Sequence, residues 1–168
     1  MSASEFSRMI DLRAIGPQAV TLEASAEEAI ALARRFDLVA IRSLRAELSL
    51  AVDGPVVEAT GTLKGAIVQS CAVSGEDLPV RIDEKLAMRF VPEQAVDEEE
   101  LELSEGELDE IGYAGTSIDL GEAIAQSLAL AIDPYATGPE AERARQKAGL
   151  STPEASGPFA ALAALKKD

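Results

Sequence analysis

The sequence contains no histidine and no tryptophan, and cysteine occurs once, at position 71. Without imidazole there is no Ser-His-Asp or Cys-His nucleophile system, no HExxH metalloprotease motif and no zinc site that uses histidine. A single cysteine forms neither an internal disulfide nor a cysteine-rich metal site within one chain. The glycine-rich run at 112–115 lacks the lysine of a phosphate-binding loop. We therefore expect no metal, no other cofactor and no small-molecule substrate.

Long hydrophobic runs are also missing. No apolar stretch approaches the ~20 residues that a membrane helix needs. The first residues, MSASEFSRMIDL, have neither a basic region nor an apolar region of the kind found in signal peptides. The sequence therefore predicts a soluble cytoplasmic protein with no membrane partner.

Positive charge is scarce and negative charge is concentrated. The chain has 15 basic and 30 acidic residues, which gives a net charge of −15. Residues 97–110 hold nine acids and no base. We interpret 92–112 as a solvated acidic insert that could include one short strand, for instance in the weak alternation of Glu98–Leu103. Such an acidic balance disfavours strong nucleic-acid binding but permits a local basic patch.

The stretch Leu44–Phe90 is what the sequence does have, and it alternates between apolar and polar residues with the period of a β-strand. The turn residues Asp53-Gly54-Pro55 separate its first two runs. The pattern predicts a three-stranded antiparallel meander with one face on a core. The inward positions are Leu44, Ala46, Leu48, Leu50 and Val52, then Val57, Ala59, Gly61, Leu63, Gly65 and Ile67, then Leu78, Val80, Ile82, Leu86, Met88 and Phe90.

Two inward positions of the second strand are glycine, Gly61 and Gly65. Glycine weakens a strand unless the sheet bends there or another backbone comes close. We interpret the pair as a sign of a curved antiparallel sheet or a partly open barrel; the alternative is a flat sheet that tolerates them. With the helices described next, the fold class is α+β.

Two short strands and a helix are predicted before the meander. The runs Phe6–Leu12 and Gln18–Ala24 read as strands that could pair with each other. Ser25 and Glu28 fit a capping box, so a helix should follow to about Phe36. The residues expected to be buried on this helix are Ile30, Ala33 and Phe36.

A second helix should begin at Asp119, which is a good N-cap residue, with Glu122 at the third helical position. Asp133-Pro134 should end it, because the residue before proline avoids the helical conformation. Asp119 and Glu122 could also be read as the carboxylate pair of an enzyme. Capping explains both residues without any chemistry, and we favour it.

The chain after Tyr135 is rich in alanine, proline and glycine. We therefore divide the sequence into an α+β domain, 1–135, and a flexible tail, 136–168, with a brief helix around Glu140–Lys147. The tail ends in a short amphipathic segment in which Phe159 and Leu162 share a helical face. Such a short helix needs a docking surface, either on its own domain or on a partner.

The predicted meander also places charged residues on its outward face. Strict alternation requires the residue numbers of cross-strand partners to add to an odd total. With the turn at Asp53-Gly54 or Gly54-Pro55, this rule sets Arg45 opposite Thr62 or Lys64. On the third strand, Lys64 should lie opposite Asp83. We name two interpretations of this face: a modest basic patch for an RNA backbone, or a cross-strand salt-bridge face, which we favour. The bases of the candidate patch are Arg45, Lys64, Arg81, Lys85 and Arg89.

Four motifs, taken in order, resemble the YceD-like family of large ribosomal RNA subunit accumulation proteins. They are the Cys71 turn in QSCAVSGE, the Phe90-Val91-Pro92 step, the IDLGE helix start that leads to DPY at Tyr135, and the Pro158-Phe159-Ala160-Ala161-Leu162 end. The resemblance spans most of the chain, and the sequence is similar to the alphaproteobacterial branch of the family. One departure is that Ser74 stands where the family's turn has a second cysteine. A lone thiol cannot hold zinc by itself, so we carry over no metal and read Cys71 as a semi-buried turn residue.

The resemblance implies a non-enzymatic factor in large-subunit biogenesis that supports ribosomal RNA accumulation or processing. Its partner would be large-subunit ribosomal RNA, a pre-ribosomal particle, or a ribosomal or assembly protein. An alternative is a protein-interaction adaptor that makes no RNA contact. A carboxylate-based enzyme is the third and least favoured hypothesis.

Overall fold

A computed structural model of the chain describes residues 4–93 and 109–149. These residues form strands and helices in mixed order, so the α+β prediction is confirmed. A short 3-10 turn at Leu12–Ala14 follows the first strand. The elements are β1 Met9–Asp11, β2 Val20–Glu23, α1 Ala26–Arg35, β3 Ala40–Asp53, β4 Val56–Ser70, β5 Asp77–Pro92, β6 Asp109–Tyr113, β7 Ser117–Asp119, α2 Leu120–Ala131 and α3 Ala141–Lys147.

The chain divides into two compact units, residues 1–68 with 79–132 and residues 69–78 with 133–168. The first unit holds the core, and the second contains the Cys71 turn and α3. The predicted boundary at residue 135 stays a prediction, because 150–168 lie outside the described residues. The brief helix expected around Glu140–Lys147 is confirmed as α3.

The main sheet has five strands in the order β2-β3-β4-β5-β6. The predicted meander is confirmed as β3, β4 and β5, which are neighbours in this order. One part of the sheet prediction needs correction. β6 runs parallel to β5, from Met88 opposite Asp109 to Pro92 opposite Tyr113, so the sheet is mixed and not wholly antiparallel. Of the two predicted forms, the structure has the open sheet and not the barrel, since β2 and β6 are its outer strands.

One face of this sheet is buried, as the alternation predicts. Leu48 on β3 and Leu63 on β4 are almost completely buried, and Val52 at the hairpin end is the one predicted inward residue of β3 that is exposed. The hydrophobic core also includes Leu32 of α1, and Ile124 and Leu128 of α2. Both helices therefore contribute to the core that this sheet face lines.

Gly61 sits where the backbones of β3 and β4 come close together. It lies opposite Leu48, and a Cβ built on it would be 2.8 Å from the carbonyl carbon of Glu47 and 2.9 Å from the Cα of Leu48. Real Cβ atoms do not approach other atoms so closely. Close approach of another backbone, and not barrel closure, is the reason for glycine at this position.

The predicted pairing of the first two strands is wrong. β1 pairs with β7, with Ile10 opposite Ile118, and β2 pairs with β3, with Leu22 opposite Ala46. This pairing makes β2 an outer strand of the large sheet and places Leu22 in the core. β1 instead lies beside the start of α2, where the amide of Leu120 donates to the carbonyl of Arg8.

The capping box that begins α1 is confirmed, because Ser25 and Glu28 each accept from the backbone amide of the other. The prediction that Ile30 is buried is wrong, since Ile30 is 56% exposed. Ala29, Leu32 and Ala33 form the buried stripe, spaced three and four residues apart, and Ile30 lies outside that stripe.

The acidic insert is shorter than predicted among the described residues. Pro92 belongs to β5, and Asp109–Gly112, predicted as loop, belong to β6. Tyr113 at the end of β6 is buried and donates from its hydroxyl to the carbonyl of Pro55, which helps to fix the strand. The weak alternation at Glu98–Leu103 lies outside the described residues. Within the described residues, 4–93 and 109–149, no helix is long and apolar enough to cross a membrane.

Replacing Gly61 with alanine should destabilise the fold. The added methyl group would meet the β3 backbone, which cannot move aside as a side chain can, so we expect a loss of about 1–3 kcal/mol in the free energy of unfolding. Gly16→Ala is the matched control, because nothing lies within 4 Å of a Cβ built at Gly16. Urea unfolding of both variants measures the effect. Equal stability of the two variants would contradict the close approach.

Candidate functional sites

The sheet face that points away from the core is named the open face. The strands of the main sheet present polar side chains on this face. Most of these side chains are exposed, while Thr62 and Arg89 are half-buried. Its central residues are Arg45, Glu47 and Ser49 on β3, Glu58, Thr60, Thr62 and Lys64 on β4, and Arg81, Asp83, Lys85 and Arg89 on β5.

The register of β3 with β4 places Arg45 directly opposite Lys64, which was one of the two predicted partners. Like charges directly opposite each other destabilise a sheet. On its own strand, Arg45 Nη2 lies 2.7 Å from Glu47 Oε1, and on the other side Arg45 faces Glu23 of β2. Arg45 therefore takes part in an ion pair of the sheet itself, and the neighbouring acids reduce its repulsion from Lys64.

Arg89 is engaged in the same way. Its Nη1 lies 3.5 Å from Glu110 Oε1, and the two residues are cross-strand partners on β5 and β6. Sequence reasoning missed this pair, because Glu110 fell in the segment read as a loop. The signal that could have found β6 is the alternation of Ile111 with Tyr113.

Lys64, Arg81 and Lys85 differ from these two arginines. All three are exposed, and in the described part of the chain none of them makes an ion pair. The connection from Ser70 to Asp77 is too short for a parallel crossover, so β4 and β5 are antiparallel. Lys64 and Arg81 consequently lie on the side of the sheet near that connection, and Lys85 lies at the middle of β5. The pairing of Lys64 with Asp83 stays a prediction.

Asp119 is the N-cap of α2, as predicted. Its Oδ1 accepts from the amide of Glu122 at 3.1 Å and from the amide of Arg8 at 2.8 Å, and its Oδ2 accepts from the hydroxyl of Ser7. The carboxylate therefore joins the N-terminal segment to the helix. Every contact is structural, which matches the favoured interpretation of this residue.

Glu122 does not complete a capping box. Its carboxylate instead accepts from both terminal nitrogens of Arg35, at 3.0 and 2.7 Å, and from the hydroxyl of Ser4. The hydrogen bonds from Arg35, followed by those from Ser4 and Gln126, outweigh burial and lower the pKa of Glu122 to about 2. A general acid would need a raised pKa, so this pair gives no support to the enzyme hypothesis.

The Cys71 turn lies in the second unit and is organised around the sulfur. Sγ accepts from the amides of Ser74 and Gly138 at 3.3 Å each, and from that of Val73 at 3.5 Å. Burial raises the pKa of the thiol, but a hydrogen bond from the side chain of Ser74 and the amide bonds from Ser74, Gly138 and Val73 outweigh it and lower the pKa to about 6. Cys71 is 4% exposed and hence fully buried, not semi-buried as predicted.

Ser74 helps to hold Cys71 in this turn. Its amide donates to Sγ, and its hydroxyl accepts from the amide of Glu76 at 3.4 Å. Gly138 was not predicted to take part, because it lies 67 residues from Cys71 and no local pattern marks it. The candidate tail residues Phe159 and Leu162 lie outside the described residues.

The fold and the open face define a small α+β protein with a one-sided β-sheet and an exposed polar face. The chain belongs to the family described as large ribosomal RNA subunit accumulation protein YceD, whose model matches residues 59–166, close to two thirds of the sequence. The match confirms the family resemblance and covers β4 from Ala59 onward and all of β5, and it includes Lys64, Arg81 and Lys85. No curated protein and no solved structure matches the chain.

The Cys71 thiol should titrate far below an ordinary cysteine. Because the chain has one cysteine, thiolate absorbance near 240 nm reports on it alone. We expect a midpoint at about pH 6 in the native protein and about 8.5 after denaturation. Ser74→Ala removes the side-chain hydrogen bond but keeps the amide, so it should raise the native midpoint, and Ser70→Ala, on the exposed strand end, should leave it unchanged. A native midpoint above pH 8 would show that these hydrogen bonds do not stabilise the thiolate.

The Arg35–Glu122 contact should contribute stability only where Glu122 is ionised. Its pKa of about 2 in the folded protein lies below the ordinary glutamate pKa of 4.5. The contribution is therefore present above pH 4.5 and is lost as the pH falls through 2. Glu122→Gln should cost about 1–2 kcal/mol in the free energy of unfolding at pH 7 and almost nothing near pH 2. Urea unfolding at pH 7, 4 and 2.5 checks this, with Glu58→Gln on the open face as control; a cost independent of pH would refute it.

Proposed function

We propose that the protein is a non-enzymatic cytoplasmic factor of large-subunit biogenesis, and that it supports ribosomal RNA accumulation by binding RNA on its open face. The family's name supplies the process. The observation that supports RNA as the direct partner is the set of exposed bases Lys64, Arg81 and Lys85, which make no ion pair within the described residues.

Exposed basic side chains that make no ion pair neutralise RNA phosphates, and this releases the counterions that surround the RNA. Arg45 and Arg89 are held by Glu47 and Glu110, so they add less to this attraction. We therefore expect about three phosphate contacts. So small a number gives weak binding, in keeping with the acidic chain that carries the face.

A second candidate is an adaptor that binds a ribosomal or assembly protein and makes no RNA contact. The observation that favours it is the mixture of signs on the open face, where Glu58 and Asp83 are exposed beside the bases. Opposite charges that alternate across a surface suit a protein partner of complementary pattern.

The experiment is a triple charge reversal, Lys64→Glu, Arg81→Glu and Lys85→Glu, in the full chain. Affinity for a large-subunit ribosomal RNA fragment is measured between 50 and 200 mM salt. We expect affinity at low salt to fall at least about tenfold and the slope of log affinity against log salt to become shallower by about two to three.

The matched control reverses three exposed bases that are not in the main sheet, Arg13→Glu, Arg34→Glu and Lys147→Glu, which changes the net charge equally. Circular dichroism confirms that both variants are folded. If both lose affinity equally, the attraction belongs to total charge. If neither does, the open face does not bind RNA and the adaptor hypothesis takes its place.

A further inference from the structure

We propose that the open face recognises double-helical RNA through its phosphates and 2′-hydroxyls and does not read unpaired nucleobases. The inference rests on the proposed function and names the form of RNA that the face fits. Three features of the open face support it: the absence of aromatic side chains among the described residues, a line of hydroxyls beside the basic side chains, and the order of hydroxyls and base along one strand.

Single-stranded RNA is generally read by stacking its bases on aromatic side chains. The aromatic residues of the main sheet, Phe90 and Tyr113, are 1% and 8% exposed and belong to the core cluster. Among the described residues of β2 to β6, none presents an aromatic ring on the open face. An unstacked base would therefore find no platform there.

β4 instead presents Thr60, Thr62 and Lys64 in succession on the open face. Alternate residues of a strand are about 6.6 Å apart, so two hydroxyls and one ammonium group form a line. Ser49 lies opposite Thr60 and adds a third hydroxyl. A hydroxyl both donates and accepts, so it matches the 2′-hydroxyl, which distinguishes RNA from DNA.

These hydroxyls are not engaged in the sheet itself. Within residues 4–93 and 109–149, the side chains of Ser49, Thr60 and Thr62 make no hydrogen bond of their own, whereas Ser127 elsewhere in the fold donates to the carbonyl of Ala123. Structural hydroxyls of β-sheets commonly bond across strands. Here they remain available to a partner.

Basic side chains and hydroxyls follow one another along the open face. Lys64 and Arg81 lie toward the β4–β5 connection, Lys85 lies at the middle of β5, and the hydroxyls of Thr60 and Ser49 lie toward the β3–β4 hairpin. Duplex RNA displays 2′-hydroxyls in a wide, shallow minor groove bordered by phosphates, and proteins recognise it by shape and by these groups. A duplex backbone laid along β4 would meet hydroxyls at one end and bases at the other.

The test compares three ligands of one sequence and length, an RNA duplex, its single strand and the matching DNA duplex, each with the full chain at about 50 mM salt. We expect the RNA duplex to bind at least about fivefold more tightly than either of the others. Thr60→Val with Thr62→Val keeps the branched shape of both residues and removes their hydroxyls. This double variant should lose about threefold to tenfold in affinity for RNA duplex, without a change in affinity for DNA or in salt dependence.

Thr116→Val, in an exposed turn before β7, is the matched control and should change nothing. Single-stranded RNA that binds as tightly as the duplex overturns this inference and leaves the proposed function standing. An undiminished preference for RNA over DNA in the double variant also overturns it, because the hydroxyls then do not read the 2′ position. Failure to bind RNA of any form contradicts the proposed function as well.

Discussion

The two-residue alternation of β3, β4 and β5 is the constraint on which the rest of the structure depends. It buries residues such as Leu48 and Leu63 and, by the same geometry, exposes Lys64 on the other side. A slip of one residue would exchange the two faces and bury charged groups. The core therefore fixes the open face, and the position of its basic side chains and hydroxyls is set by the packing of residues on the opposite face of the sheet.

Several titratable residues outside the open face have structural roles. Asp119 caps α2 and holds the N-terminal segment, and Glu122 binds Arg35. The sulfur of Cys71 accepts hydrogen bonds from three amides and organises its turn. On the open face, by contrast, Lys64, Arg81 and Lys85 are exposed and make no ion pair within the described residues. That contrast, together with the family, is why we look for a macromolecular partner there.

Features written in local sequence could be predicted, and features made by distant residues could not. Alternation and the Asp53-Gly54-Pro55 turn were enough to place Arg45 opposite one of two residues on β4, and the caps of α1 and α2 follow from short motifs. The pairing of β1 with β7 and the parallel β6 depend on contacts across a hundred residues or across the acidic insert. The partner of Glu122 was missed for the same reason, since Arg35 lies 87 residues away.

The most direct test of the central claim is a nuclear magnetic resonance titration of the isotope-labelled protein with a duplex fragment of large-subunit ribosomal RNA. The account predicts shifts concentrated on Lys64, Arg81, Lys85 and the neighbouring threonines of β4, with little change in the core-facing residues of α1 or in α3. Shifts confined to other surfaces, or a spectrum unchanged at saturating RNA, would contradict it.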